Sequence, residues 1–310
     1  MTRALLGILP LLLLLPLAAC GDADADRGGH DVFRLGFLPA ERGEQFDARA
    51  ERLGTALSER MGIRVQIFVP NAYEPLIEAL RFGNLEAAFM DAAPAWIAHE
   101  RAGVEVVLAE VRADGRTHYY GTGFTRTDTD IDDLDDLLGQ RVAHTSWTGS
   151  SGFVLPIGTM IDRGLITPRG REFPDLQRAM QDAFASYTMA GGYKAAMEML
   201  VRGQVDAAFG ADDAAERFLD EGQQRQVREF VRLGRVPSHP VVVASHVSDE
   251  RRDAFVRAME ELSADHPEIF RELYGVEGVV ATTTEEHLGD FGPAVRALPG
   301  LHGQFLGRTR

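Results

Sequence analysis

The chain has 310 residues, a formal net charge of −15 and a single cysteine, Cys20. So acidic a balance argues against nucleic acid as a partner and against a polybasic attachment to anionic lipid. One cysteine excludes an intramolecular disulfide. The sequence shows no heptads and no repeats at a fixed period, so it predicts a globular protein rather than a coiled coil or a repeat array.

The N-terminal segment MTRALLGILPLLLLLPLAAC has the pattern of a secretory signal: Arg3, an apolar core, and small residues before Cys20. The core is shorter than the roughly 20 apolar residues that a spanning helix needs. LAAC resembles the lipobox of bacterial lipoproteins, whose cysteine is diacylated and becomes the first mature residue. The polar GDADADRGGHD that follows is typical of a flexible tether. We therefore expect a signal peptide over 1–19, a lipidated cysteine and tether over 20–30, and an exported, lipid-anchored protein.

The segments after the tether alternate between strand and helix patterns. The patterns predict strands at 31–39, 63–70 and 85–91, and helices at 46–62, 72–83 and 93–103. Strands and helices that alternate in units of this length indicate a mainly parallel α/β sheet. In such sheets, ligands bind at the carboxyl ends of the strands.

A second cycle of the same kind follows residues 118–126. It comprises a short acidic helix, the strand RVAHT, a helix at 153–165, a strand at 184–190, a helix at 192–203 and a strand at 205–211. The halves share a signature, since EALRFGNLEAAFMD and EMLVRGQVDAAFGADD both run from a helix end through a glycine to AAF. We expect two similar lobes: the first from 31–121 and 247–310, with C-terminal helices capped at Ser248, and the second from 122–246.

The segment TSWTGSSGFVLP at 145–156 concentrates hydroxyls and glycines between a strand and a helix. Neither Ser150 nor Ser151 has glycines at both offsets that a nucleophile elbow requires, and GFLPAERG does not match a dinucleotide-binding motif, so the sequence predicts no enzyme. The flanking strand and helix argue against a plain linker. A glycine-rich turn that feeds a helix offers free N–H groups and the positive end of the helix dipole, so we predict an anion-binding turn.

Five segments between Leu35 and Asp249 carry a resemblance to a known family: LGFLP, AYEPLIEALRFGNLEAAF, DLLGQRVAHTSWTGSSGFVLP, GGYKAAMEMLVRGQVDAAF and VPSHPVVV. The chain resembles the phosphonate, phosphite and phosphate-ester solute-binding proteins of ABC importers, within the type II periplasmic-binding-protein fold. The resemblance implies a two-lobed α/β protein, a monomer without cofactor, that closes its cleft on a small oxyanion and delivers it to permease and ATPase subunits. Closure would occur about strands near 121–124 and 237–243.

The resemblance and the strand ends together select ligand-binding candidates. The predicted set is Tyr73, Asp91, Tyr119, Tyr120, Ser146, Thr148, Gly149, Ser150, Ser151, Gly152, Tyr193 and Asp212. One of Tyr119 and Tyr120 matches a cleft tyrosine of the family, without fixing which. The family has a hydroxyl where this chain has Gly149, which Ser146 or Thr148 could replace. It commonly has a histidine at Tyr193, whose hydroxyl donates a hydrogen bond but brings no positive charge.

Acidic residues at predicted strand ends raise a second question. Glu41, Asp91, Asp212 and Asp213 either cap helices and face water or point into the cleft. Carboxylates hold the ligand's ammonium group in the aminoalkylphosphonate binders of the family, so inward acids would favour a zwitterionic ligand. A sulfonate is a separate alternative for the ligand. A ligand-sensing lipoprotein acting on a membrane receptor is the alternative function, because it needs the same clamp. The nine histidines lack metal-ligand spacing, and no metal site is predicted.

Overall fold

The chain forms two β-sheets that are covered by helices. The computed structural model describes residues 32–38 and 44–304; Cys20, the predicted signal and tether, and Glu41 lie outside these residues. The strands are, in chain order, β1 (Val32–Gly36), β2 (Arg64–Phe68), β3 (Ala87–Phe89), β4 (Glu105–Val111), β5 (His118–Arg126), β6 (Arg141–His144), β7 (Ser186–Met189), β8 (Ala207–Ala211), β9 (Val227–Pro237), β10 (Pro240–Val243) and β11 (Gly278–Ala281).

The helices occupy most of the remaining described chain. They are α1 (Glu44–Met61), α2 (Tyr73–Arg81), α3 (Ala92–Ala102), α4 (Leu155–Asp162), α5 (Phe173–Ala183), α6 (Tyr193–Val201), α7 (Ala214–Phe218), α8 (Glu221–Gln224), α9 (Asp249–Asp265), α10 (Pro267–Tyr274), α11 (Thr284–Leu288), α12 (Gly292–Arg296) and α13 (Leu301–Gln304). A 3₁₀ turn covers Asp135–Leu137 and a π-helix covers Ser150–Val154. The predicted helix stops Gly62 and Gly83 adopt left-handed φ angles of 66° and 75°, which glycine reaches without a steric penalty.

The two sheets repeat one arrangement. The first has the order β11-β4-β10-β3-β1-β2 and the second the order β7-β6-β8-β5-β9. In the first, β1 pairs in parallel with β2 and β3, and in the second β6 pairs in parallel with β7 and β8. The AAF strands β3 and β8 each lie beside an antiparallel strand, β10 and β5 respectively. The two AAF segments of the shared sequence signature therefore occupy equivalent positions in the two sheets.

The chain crosses between the sheets twice, at residues 112–117 and at 238–239. These crossings differ from the predicted boundaries, because 121/122 falls inside β5 and 246/247 falls after β10. All of β5 pairs with β8 and β9 of the second sheet, whereas β10 pairs with β3 and β4 of the first. A continuous hydrogen-bonded strand fixes its residues to one sheet, so the connections between the lobes are the short segments outside the strands.

The C-terminal part packs on both lobes rather than on the first alone. Helix α9 begins at the predicted cap, where Ser248 Oγ accepts a hydrogen bond from Arg251 N at 3.4 Å, and it lies against α1 through the Arg60–Asp265 ion pair at 2.9 Å. Further on, Leu298 and Leu301 share an apolar core with the second-lobe residue Met160. The predicted assignment of 247–310 to the first lobe thus describes α9 but not the last helices.

Candidate ligand-binding site

The turn after β6 starts a helix in an unusual way. Phe153 N and Val154 N both donate to Gly149 O at 2.9 Å, so the first turn is wide and has π geometry before α4 continues it. The first N–H groups of a helix have no carbonyl in a preceding turn to bind, and they point along the positive end of the helix dipole. Ser150, Ser151 and Gly152 occupy this turn and are buried. Inserted π turns of this kind occur frequently at functional sites.

Ser150 connects this turn to the first lobe. Its Oγ accepts a hydrogen bond from Ala93 N at 3.1 Å, and only 3% of the residue is exposed. Ala93 lies in the first turn of α3, so the N-terminal ends of two helices from different lobes meet at this hydroxyl. A serine hydroxyl has one proton to donate. Because its oxygen accepts from Ala93, that proton can be given to an oxyanion placed between the lobes.

Ser151 begins a chain of hydroxyl groups within the second lobe. Its Oγ lies 2.7 Å from Tyr193 Oη, and the phenol of Tyr119 lies close to that of Tyr193. Tyr193 is the first residue of α6, and its ring lies over Gly210, where a Cβ would come within 3.1 Å of that ring. Burial raises the pKa of Tyr193, and it raises that of Tyr119 well above 10. Both phenols therefore stay neutral and act as hydrogen-bond donors or acceptors without charge.

The first-lobe side of the site carries charge. Tyr73 Oη accepts a hydrogen bond from Asp91 N at 3.2 Å, and Asp91 Oδ1 lies 2.8 Å from His239 Nε2. The other ring nitrogen of His239 lies 2.8 Å from Glu110 Oε2, and Glu110 is 2% exposed. Burial alone would lower the pKa of His239, but Glu110 and Asp91 outweigh it and hold that pKa well above 6.5. The imidazole is therefore an imidazolium between two carboxylates.

An ion pair connects the crossing segment to the second lobe. Arg112 follows β4, and its Nη2 lies 2.7 Å from Asp213 Oδ2 just after β8. The guanidinium also lies over the ring of Tyr119 at 5.3 Å from the ring centre, a distance at which cation–π attraction contributes. This pair ties the connection between the sheets to a residue of the candidate site.

Two predicted site residues lie apart from Ser150 and Ser151. Tyr120 follows Tyr119 in β5 and points to the opposite face, where its ring lies beside Arg116 and Arg232 at 5.6 and 5.2 Å. Asp212 accepts a hydrogen bond from Tyr120 N at 3.3 Å, so its carboxylate is used to hold the backbone of β5. Of the two tyrosines, Tyr119 is thus the one that lies near the turn, and it stays the candidate for ligand binding.

The remaining predicted residues lie on or beside the turn. Ser146 Oγ and Thr148 Oγ1 lie 3.3 Å from each other, so each hydroxyl has the other as a neighbour. Gly149 and Gly152 pack directly on Thr145, whose side chain would overlap a Cβ at either glycine. Both glycines are thus required by the close approach of Thr145, the residue after β6, to the turn.

Sequence reasoning missed three residues of this region. Thr145 is 5% exposed and its Oγ1 has no hydrogen-bond partner among the described residues. His239 and Glu110 form the charged cluster with Asp91, although they come from a crossing segment and from β4. The quoted segment VPSHPVVV contains His239 and was a usable signal, but no local pattern distinguishes Glu110. Within residues 32–38 and 44–304, no set of three or more His, Cys, Asp or Glu side chains is arranged to hold a metal ion.

Comparisons with known proteins show which family and which relatives this chain is similar to. Residues 35–287 match the family described as ABC transporter, phosphonate, periplasmic substrate-binding protein. The "Phosphate-import protein PhnD" of Mycolicibacterium smegmatis is 26% identical over 214 residues, which cover 66% of this chain and 64% of that protein. The "Phosphonates-binding periplasmic protein" of Escherichia coli is 22% identical over 203 residues, which cover 64% of this chain and 56% of that protein. The chain thus spans less than two thirds of the length of either relative.

A solved structure shows the same fold. PhnD1 of Prochlorococcus marinus in complex with methylphosphonate superposes with a TM-score of 0.65 at 14% identity, covering 87% of this chain and 99% of that one. The predicted two-lobed periplasmic-binding-protein fold is confirmed. The family consists of substrate-binding transport proteins rather than enzymes, which agrees with the absence of catalytic motifs in the sequence. Since the family match covers most of the chain, the protein belongs to the periplasmic substrate-binding proteins of phosphonate ABC transporters.

Proposed function

We propose that this chain is the extracytoplasmic solute-binding lipoprotein of an ABC importer and that it captures a small phosphonate-like oxyanion: a phosphonate, phosphite or phosphate ester. The ligand would sit between the lobes at Ser150, Ser151, Tyr193 and Tyr119 on one side and at Tyr73 and Asp91 on the other. Permease and ATPase subunits would receive it. Family membership supports the transport role, and the names of the relatives, which refer to phosphate, phosphonates and methylphosphonate, support the ligand class.

The observation that carries the proposal is the hydrogen bond from Ala93 N to Ser150 Oγ at 3.1 Å. It brings the N-terminal end of α3 from the first lobe against the glycine-rich turn of the second. Helix N-termini and hydroxyls are the groups with which proteins hold oxyanions without a fixed cation. An oxyanion in this position would take hydrogen bonds from both lobes, so that its binding would favour the closed arrangement.

The connections between the sheets support closure about residues 112–117 and 238–239. Both segments are short and carry a cationic side chain that pairs with an acidic residue near the site. Arg112 in the first pairs with Asp213, and His239 in the second pairs with Asp91. Ligand contacts from both lobes would bias such a hinge toward the closed state. Helices α12 and α13 also make apolar contacts with the second lobe, so closure would involve these contacts as well as the two connections.

Export and anchoring rest on the N-terminal sequence. Cleavage before Cys20 and acylation of its sulfur would attach the domain to the outer face of the cell membrane through the tether, and the mature protein would be a monomer. Among the described residues, no helix has the length and apolar character to cross a membrane.

Cys20→Ser should release the protein from the membrane fraction into the soluble exported fraction. Equal membrane retention of Cys20→Ser would contradict the lipid anchor.

The test of ligand class is binding by the purified protein. Thermal-shift and calorimetric titrations should show stabilisation by methylphosphonate, phosphite or phosphate and not by neutral solutes. Replacing both Ser150 and Ser151 with alanine removes two hydrogen bonds to a charged ligand, each worth about 1.5–3 kcal/mol, and should lower the affinity at least 100-fold. Ser186→Ala, an exposed serine on the same lobe, serves as the control and should bind normally.

Two results would contradict the proposal. Stabilisation by another ligand class alone would remove the oxyanion assignment while leaving the fold. An affinity unchanged in the double alanine variant would place the ligand elsewhere. The sensing alternative is separated from import by uptake: cells lacking this protein should lose accumulation of the labelled ligand if it serves an importer.

A further inference from the structure

The position of the Asp91 side chain is not explained by helix capping. It precedes α3 as the N-cap residue, yet its side chain accepts no capping hydrogen bond from that helix. Its Oδ1 lies against His239 Nε2 at 2.8 Å, and a third of the side chain is exposed. Ala93, two residues further, binds Ser150. Beside burial, the charge of Asp91 raises the pKa of Tyr119 and Tyr193, so the partly exposed carboxylate lies close to these second-lobe phenols and to the turn that would hold the oxyanion.

The groups around Asp91 leave the first-lobe side of the site negative. The titratable groups that face it come from six separate elements or connections: Tyr73, Glu110, Tyr119, Tyr193, His239 and Tyr274. The four tyrosines are neutral, and the two carboxylates outnumber the one imidazolium, which leaves one net negative charge. Arg112 does not change this sum, because Asp213 pairs with it at 2.7 Å. Lys194 is exposed at the start of α6.

An oxyanion that enters this site meets a carboxylate. A fully deprotonated oxyanion would place like charges side by side in a partly dehydrated cleft, where Coulomb repulsion is stronger than in water. If the ligand keeps one proton on oxygen, that O–H can donate to the carboxylate, and repulsion is replaced by a charge-assisted hydrogen bond. A site built to accept such a bond rejects an analogue that lacks the proton, because the carboxylate is then left unpaired.

We propose that Asp91 accepts a hydrogen bond from a protonated oxygen of the ligand, so that the protein captures the singly protonated form of a phosphonate-type oxyanion and excludes sulfonates. This inference rests on the proposed function, since it assumes that an oxyanion binds at Ser150 and Ser151. It assigns to Asp91 the choice of ligand and of its protonation state, while the second-lobe hydroxyls hold the unprotonated oxygens.

The experiment is calorimetric titration of the purified protein with methylphosphonate and methanesulfonate between pH 5.5 and 9. These ligands have nearly the same shape, but only methylphosphonate keeps an O–H near neutral pH. The affinity for methylphosphonate should fall about tenfold per pH unit above the second pKa of the ligand, and methanesulfonate should not bind. In Asp91→Asn the amide can donate to an unprotonated oxygen, so the pH slope should flatten and methanesulfonate should gain measurable affinity.

Controls separate the ligand's proton from titration of the protein. Asp128→Asn, a change at an exposed carboxylate of the second lobe, should keep the steep slope and the exclusion of sulfonate. Methanesulfonate carries no titratable proton in this range, so its profile in Asp91→Asn reports the protein's own groups. Retained folding of Asp91→Asn is checked by its unfolding midpoint, since asparagine can still accept from His239.

Four outcomes would overturn the inference. Methylphosphonate affinity that is independent of pH, or wild-type binding of methanesulfonate, would remove the role of Asp91 while the proposed function stands. Binding of 2-aminoethylphosphonate that follows titration of its amine and is lost in Asp91→Asn would show that the carboxylate holds an ammonium group. No binding of any of these oxyanions at any pH would remove both this inference and the proposed function.

Discussion

Two histidines, one in each half of the candidate site, are held in opposite charge states. His239 on the first-lobe side lies 2.8 Å from Asp91 and from Glu110 and is charged. His144 ends β6 in the second lobe, stacks on Phe209 and lies edge-on to Phe153; its Nδ1 contacts Gly152 O at 2.9 Å, and burial lowers its pKa to about 4. The contrast shows that the first lobe supplies charge to the site, whereas the second supplies hydroxyls on an apolar support.

The contrast has a consequence for ligand recognition. Hydroxyl groups can rotate to donate to an anion in different orientations, and neither hydroxyls nor amides add a charge that the ligand has to complement. The charged side of the site discriminates more sharply, because a mismatched charge in a partly buried position costs more than a lost neutral hydrogen bond. Ligand retention is thus expected to depend on the second lobe and ligand choice on the first.

The largest expected effect comes from the neutral histidine. The folded-state pKa of His144 is about 4 against 6.5 for the free side chain, so the unfolded chain binds more protons between these values and stability falls as the pH is lowered through them. This group alone should cost about 3 kcal/mol between pH 7 and pH 4. Urea unfolding at several pH values measures how the free energy of unfolding changes with pH. In His144→Asn, the decrease between pH 7 and pH 4 should be smaller by the contribution of this histidine.

The control for His144 is an exposed histidine. His246→Asn should leave the slope unchanged, because that side chain is exposed at the surface of the first lobe. Asparagine at 144 places an amide nitrogen where Nδ1 lies, which allows the contact with Gly152 O to persist. A pH slope that is equally steep in His144→Asn would mean that other groups carry the acid sensitivity of the second lobe.

The charged histidine should behave in the opposite sense. Its folded-state pKa is raised, so its contribution is complete below the unfolded value of 6.5 and is lost as the pH rises through the folded value. His239→Ala leaves the buried Glu110 without its cationic partner and should cost roughly 2 kcal/mol at pH 6, less than a fully buried pair because the imidazole is 40% exposed.

Two comparisons test this assignment by urea unfolding. The difference between wild type and His239→Ala should shrink as the pH is raised above 6.5. The double variant His239→Ala/Glu110→Gln removes the stranded charge and should recover part of the loss. A double variant that is less stable than His239→Ala would show that Glu110 is stabilised by something other than the imidazolium.

The parts of this site that local sequence predicts are those that local geometry determines. The strand, turn and helix around 145–156 follow from hydroxyls and glycines between two apolar runs, and the lobes follow from two cycles of strand and helix. The π start at Ser150 does not follow, because the pattern of hydroxyls and glycines does not distinguish a π turn from an α turn. Tyr119 and Tyr120 could not be separated, since adjacent strand residues point to opposite faces and the sequence does not reveal which face meets the cleft.

The charged cluster is unpredictable from sequence for a different reason. Asp91, Glu110 and His239 come from three segments whose meeting depends on the insertion of β10 between β3 and β4. That pairing also explains the differing lobe boundaries, because a strand's sheet is decided by partners more than a hundred residues away. No periodicity within one element carries this information.

The smallest expected effect concerns the neutral side of the comparison. Thr145 Oγ1 is buried without a hydrogen-bond partner among the described residues, and a hydroxyl in this state is a cost rather than a gain. Thr145→Val keeps the branched shape and should raise the free energy of unfolding by about 1 kcal/mol. Thr125, equally buried but bonded to Asp206 O at 2.8 Å, is the matched control, and Thr125→Val should lower it. If urea unfolding showed both changes to be destabilising, Thr145 would have a partner such as an ordered water, and its hydroxyl would already be satisfied before any ligand arrives.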